Sequence, residues 1–170
     1  MNEVLVRWNR LPREEAVKEI LPCCESVAWA GRMAAQRPFS DVTTLLAACD
    51  ETWGNLSAAD WMEAFLSHPR IGESKASHPQ SDQAVVWSTQ EQRNVAAAGE
   101  AVRIALAEAN QEYESRFGHP FIVCATGKSA PELLEILRRR LPNDKRAELR
   151  EAAEQQRQIM HIRVKKWLSG

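Results

Sequence analysis

Residues 88–118 read STQEQRNVAAAGEAVRIALAEANQEYESRFG, and this stretch decides the fold class. Val95, Ala98, Val102, Leu106, Ala109 and Tyr113 recur at three- and four-residue intervals, the spacing of one helix face. Gly118 supplies a stop. The pattern predicts one long helix over 88–117. Outward from it, helical patterns cover 12–21, 24–36, 41–53 and 57–68. Asp41 is the expected N-cap of the third of these and Gly54 its stop. Ser57 and Asp60 form a capping-box pattern for the fourth, which Pro69 follows. Residues 69–87, rich in Ser, Pro, Gln and Gly, read as a long irregular loop, a kind of segment that is often functional. Beyond Gly118, Phe121, Ile122, Val123, Cys124 and Ala125 form a short apolar run, extended or irregular. A helix over 129–141 follows, with Ser129 as cap and Glu132 three residues on, and a last helix runs over 143–168. The expected architecture is all-α, a single compact domain of about seven helices over 1–170.

Composition agrees. The 170 residues include 24 Ala and 18 Glu against 23 Val, Ile and Thr together, a balance that favours helix. A chain of this size can bury about 70% of its surface, so its core needs no disulfide or metal. Hydrophobic residues make up 44% and charged residues 26%, which excludes a disordered chain. The net charge of −1 gives no overall nucleic-acid footprint. Arg138, Arg139 and Arg140 form one short basic run, read as a solvated helix face. No apolar window approaches a membrane span, and residues 1–10 lack a signal-type core. The expectation is a cytoplasmic protein with no nucleic-acid or membrane partner. Cys23, Cys24, Cys49 and Cys124 lack metal spacing and read as reduced core thiols.

Polar groups interrupt apolar stripes in three places. Trp61, Phe65 and His68 share one side of the fourth helix, so an imidazole ends that stripe; a C-terminal capping role also fits it. Ser88, Glu91 and Gln92 lie in line with Val95, although Ser88-Thr89-Gln90-Glu91 also reads as a capping box. Arg163 falls within the apolar arc of the last helix, as does Gln156; snorkelling or an ion pair would accommodate the arginine. Singly, each has a structural explanation. Together they supply one imidazole, one carboxylate, one guanidinium and neutral hydrogen-bonders, a set suited to a small polar anion. No metal triad and no Gly-rich phosphate loop is present.

His68-Pro69-Arg70-Ile71-Gly72, then Ser88-Thr89-Gln90-Glu91-Gln92, then Phe117-Gly118-His119-Pro120-Phe121-Ile122-Val123-Cys124-Ala125 resemble the signatures of one family. It is the 2-oxo-4-hydroxy-4-carboxy-5-ureidoimidazoline (OHCU) decarboxylases of urate breakdown. The ending 159–168, with Arg163, is similar to that family's last helix, and the likeness runs from Trp8 to Trp167. His119 departs from the pattern, since relatives often carry an aromatic residue there. The resemblance implies an all-α homodimer without cofactor or metal that converts OHCU to (S)-allantoin and carbon dioxide. It implies His68 as catalytic acid/base with Glu91 essential beside it. It also implies that Pro69, Ser88, Gln92, Phe121, Ile122, Val123, Cys124, Ala125 and Arg163 line the substrate site.

The residue types suit that chemistry. OHCU carries a hydroxyl and a carboxylate on one carbon beside a C=N carbon, so the substrate is its own electron sink. The protein must orient it and move protons, which an imidazole and a carboxylate can do. The rival readings are an enzyme acting on a related ureide and a non-catalytic helical binding module. Convergence of the three polar groups, or its absence, separates the last from the others.

Overall fold

The computed structural model describes residues 2–73 and 76–170. Residues 74 and 75, within the stretch read as a loop, lie outside the described residues. Among these, ten α-helices and one 3-10 turn account for the regular structure. The only extended pairing among the described residues is an isolated bridge between Pro69 and Ala76. The all-α expectation holds, and the ten helices are roughly in line with the seven or so expected. Among the described residues no helix is long and apolar enough to cross a membrane.

The chain divides into two compact units, Met1–Ala64 with Arg157–Gly170, and Phe65–Gln156. The first contains α1 (Glu3–Arg10), α2 (Arg13–Ile20), the 3-10 turn Leu21–Cys23, α3 (Val27–Ala35), α4 (Val42–Gly54) and most of α5 (Ala58–Leu66). Helix α1 was not expected from sequence; Asn2 caps it by accepting from the Leu5 N–H at 3.0 Å. Asp41 caps α4, its Oδ1 accepting from Thr44 N at 2.8 Å, and that bond holds the carboxyl below its usual range. Ser57 and Asp60 exchange the reciprocal bonds of a capping box, with Asp60 N to Ser57 Oγ at 3.2 Å and Ser57 N to Asp60 Oδ2 at 3.3 Å. Trp8 anchors the core of this unit. It is fully buried, donates Nε1–H to the Ala16 carbonyl at 2.9 Å and meets Trp167 edge-on. A buried indole needs such a partner for its one donor.

The second unit holds α6 (Asp82–Glu91), α7 (Arg93–Ala96), α8 (Glu100–Phe117) and α9 (Ala130–Arg140). It also takes the N-terminal half of α10 (Lys145–Leu168). Its core joins Ile71, Val95, Leu106, Ala109, Tyr113, Phe121, Leu133 and Leu137, with Ala98 and Val102 packed against it. The apolar stripe that decided the fold class therefore does face inward. It is carried by α7 and α8, with Ala98 in the link between them, rather than by one helix, however. Gln92 and Ala97 have ψ near zero and Gly99 is extended, so the chain breaks twice between 91 and 100. The stretch 69–87 is likewise not all loop, since α6 begins at Asp82. Gly118 closes α8 at φ 79°, a left-handed position where glycine carries no Cβ penalty. Ser129 and Glu132 cap α9 reciprocally, as expected.

Candidate active site

Helix α5 stops at Leu66, and the His68 N–H returns to the Phe65 carbonyl at 3.1 Å. His68 is buried, and so is Pro69. The imidazole Nε2 lies 2.5 Å from Oε1 of Gln156. An amide oxygen can only accept, so this contact puts a proton on Nε2. The residues after Pro69 are held from three directions. Arg70 makes a two-pronged ion pair with Glu114, at 2.5 and 2.8 Å. The Ile71 carbonyl accepts from Asn110 Nδ2 at 3.0 Å, and the Gly72 N–H donates to Gln92 Oε1 at 2.8 Å. Gly72 itself has φ 93°, a conformation that a side chain would strain.

The capping-box reading of Ser88-Thr89-Gln90-Glu91 is overturned. Ser81 is the N-cap of α6, its Oγ accepting from Ala84 N at 3.2 Å, and Ser88 lies inside the helix. Ser88 is buried, and its Oγ accepts from Gln80 Nε2 at 3.2 Å. Glu91 is the last residue of α6 and is half-buried. Gln92 links α6 to α7 and spends its side-chain oxygen on the Gly72 loop. The loop after His68 and the end of α6 are thereby stapled together.

Residues 121–125 form no regular structure and are all buried. A buried segment without a ladder must find other partners for its backbone, and side chains supply several. Arg140 Nη1 donates to the Ile122 carbonyl at 2.7 Å, Cys124 N–H donates to Gln155 Oε1 at 2.9 Å, and Lys128 Nζ donates to the Cys124 carbonyl at 2.7 Å. Arg140 also pairs with Glu148 at 2.5 Å and stands over the Phe121 ring. Glu148, fully buried, accepts further bonds from the Tyr113 hydroxyl and Asn143. Burial, and then the bond to Glu148, push the Tyr113 hydroxyl well up. The basic run is thus not a solvated face throughout: Arg138 and Arg139 are exposed, whereas Arg140 is a buried ion-pair member.

Burial raises the Cys124 thiol; Lys128 opposes that rise and the Glu91 carboxylate adds to it. Glu91 is therefore within electrostatic range of segment 121–125. His119 packs among Phe65, Tyr113 and Phe117, with Nδ1 2.8 Å from the Pro120 carbonyl. Burial depresses its imidazole below the ordinary value.

The second unit thus contains His68, Pro69, Ser88, Glu91, Gln92 and segment 121–125. Arg163 belongs to the first unit, where it is fully buried and donates from Nη1 to the Pro22 carbonyl at 3.2 Å. Cys23, Cys24, Cys49 and Cys124 are free and buried, as expected. Among the described residues no three His, Cys, Asp or Glu side chains come together as metal ligands. Gln156 was noted in sequence only as a polar residue in an apolar arc. That placement was the signal; its contact with His68 gives it meaning.

The model of the family described as OHCU decarboxylase matches residues 9–165. The chain is 32% identical over 147 residues to the Uric acid degradation bifunctional protein TTL of Arabidopsis thaliana, a match covering 86% of this chain and 45% of that protein. It is 28% identical over 163 residues to the 2-oxo-4-hydroxy-4-carboxy-5-ureidoimidazoline decarboxylase of Amia calva, covering 92% of this chain and 89% of that one. The chain thus spans less than half of the Arabidopsis thaliana protein and most of the Amia calva one. A crystal structure of OHCU decarboxylase in the presence of (S)-allantoin is similar with a TM-score of 0.77 and 29% identity, over 89% of this chain and 98% of that one. With the family's pattern matched across nearly its whole length, this chain belongs to the OHCU decarboxylase family.

Proposed function

We propose that this chain decarboxylates OHCU to (S)-allantoin and carbon dioxide in urate degradation. One observation carries the reading: a single unit holds a buried imidazole, a carboxylate at a helix end and an irregular backbone segment within that carboxylate's electrostatic range. In the reaction, the bond from the ring carbon to the carboxylate breaks and carbon dioxide leaves. The electron pair moves into the adjacent C=N, whose nitrogen takes up a proton. The resulting enol loses its hydroxyl proton as its carbonyl forms, and the neighbouring carbon gains a proton on one face. One proton is consumed overall for each carboxylate lost.

In this reading His68 and Glu91 move the hydroxyl and carbon protons, a task for which positioned acid–base groups contribute about 10²–10⁴-fold. Pro69, Ser88 and segment 121–125 shape the substrate's surroundings. The carbonyls of Ile122 and Cys124 and the N–H of Cys124 already serve side chains, so recognition by the segment falls to its other backbone groups and to its apolar walls. Gln92 acts by holding the Gly72 loop. For Arg163 the resemblance implies binding of the anionic substrate. The substrate is its own electron sink, so the reading requires no cofactor or metal. It includes a homodimer working in the cytoplasm as a single domain, with neither nucleic acid nor membrane as partner.

The experiment follows freshly generated OHCU by circular dichroism. Rapid growth of the (S)-allantoin signal on adding the chain is expected. A rate equal to the spontaneous one rules the proposal out.

A further inference from the structure

Gln155 and Gln156 are consecutive on α10, and each side chain serves a different part of the candidate site. Gln155 Oε1 accepts from the Cys124 N–H at 2.9 Å, and its Nε2 donates to Glu151 at 3.0 Å. Gln156 Oε1 faces His68 Nε2 at 2.5 Å. Gln156 has no solvent exposure, and its Nε2 has no hydrogen-bond partner among the described residues. A buried amide donor left unpaired is costly, and native structures rarely keep one unless a ligand or water meets it. A residue serving only the packing of α10 at this position would be apolar, like its neighbours in the arc, Ala152, Ala153 and Met160.

We infer that Gln156 is a positioning residue for His68 that also presents its Nε2–H to an oxygen of the substrate's hydroxy-carboxy carbon. The inference rests on the decarboxylase reading for its second half only. The amide oxygen fixes the proton of the neutral imidazole on Nε2. It also fixes the ring plane, because the bond is short and both partners are buried. The amide nitrogen then meets a carboxylate or hydroxyl oxygen brought beside the imidazole. Gln155 holds the Cys124 backbone from the next position on the same helix. The glutamine pair therefore sets the spacing between the imidazole and segment 121–125.

Two variants separate the two halves. Gln156→Met keeps the volume and removes both polar atoms. Gln156→Glu keeps an acceptor for His68 and removes the donor. Imidazole nitrogen NMR without substrate reads the proton's position directly. The neutral imidazole of the wild type is expected to show a protonated Nε2 and an unprotonated Nδ1. Gln156→Glu keeps the proton on Nε2, while Gln156→Met gives the averaged signals of exchanging tautomers. Kinetics with OHCU then show KM raised about tenfold or more in Gln156→Glu, the scale of a lost hydrogen bond to a charged group. In Gln156→Met, kcat also falls roughly 10- to 100-fold, the effect of a misplaced catalytic group. An unprotonated Nε2 in the wild type, or tautomer signals unchanged in Gln156→Met, overturns the positioning role. An unchanged KM in Gln156→Glu overturns the substrate contact. A wild type with the predicted NMR pattern but no OHCU turnover supports the positioning role and overturns the decarboxylase reading instead.

Discussion

Arg140 donates from Nη1 to the carbonyl oxygen of Ile122 at 2.7 Å. The same guanidinium neutralises the fully buried Glu148 and lies 4.7 Å from the Phe121 ring centroid. One side chain therefore compensates a carboxylate, satisfies a backbone carbonyl and packs on an aromatic face, all beneath residues 121–125. The planar fork of arginine suits this triple duty, and a lysine could not reproduce it.

Removing Arg140 leaves Glu148 as a buried charge without its cation. Arg140→Met is expected to destabilise the chain by about 3–5 kcal/mol, read as a lowered urea midpoint. The double variant Arg140→Met/Glu148→Leu recovers most of that loss, because two apolar groups leave nothing uncompensated. A single variant within about 1 kcal/mol of wild type, on the scale of an exposed pair, argues against a buried pair.

His68→Asn is expected to lose activity by at least the 10²–10⁴-fold typical of an acid–base group, while far-ultraviolet circular dichroism and the thermal melt stay close to wild type. Retention of more than about a tenth of the rate would place the proton transfer elsewhere, on the same scale.

Glu91→Gln preserves shape and removes the proton-accepting charge. Near-complete loss of turnover is expected. The melt should move by a few degrees at most, since about 1 kcal/mol corresponds to roughly 2–4 °C at the upper end of this size range. With Ser88 inside α6 and Ser81 as its cap, a capping role no longer explains Glu91. Full activity in Glu91→Gln would leave it a surface carboxylate.

His119 gives a pH dependence of stability. Burial lowers its imidazole below the ordinary 6.5 in the folded state, so between the folded and unfolded values the unfolded chain binds more protons. Stability then rises with pH through that window. The contribution is complete above about 6.5 and is lost as pH falls toward the depressed folded value. Urea midpoints taken from neutral pH down through this window should fall less steeply in His119→Phe than in wild type. Equal slopes would mean that His119 is not held neutral by its surroundings.

Much of the helical architecture was readable because local signals agreed with packing. Asp41, Ser57 with Asp60, and Ser129 cap the helices their positions suggested. The segment 91–100 was not readable. Its alanines sustain the helical pattern through Ala97, and the break involves a tertiary bond from Gln92 to Gly72, twenty residues upstream. Helix α6 was missed because its buried residues, Ala84, Trp87 and Ser88, make a short face beside the exposed Val85 and Val86. At the site, His68 was legible as a polar residue ending an apolar stripe. The buried role of Arg140 was not, because a run of three arginines carries no mark of which one turns inward. Gln156 stood out by position, but its partner lies 88 residues away, a separation no local pattern spans.

The Gln92–Gly72 bond bears on how the molecule tolerates change. His68 and Glu91 are separated by a stretch that includes an exposed portion around 77–79, the part of a fold where insertions and deletions are most easily accommodated. The bond closes that stretch from within, joining the residue four places after His68 to the residue next to Glu91. In the proposed reading this tie stands between a change of length in the exposed portion and the two residues assigned the proton transfers, so variation there is absorbed before it reaches them.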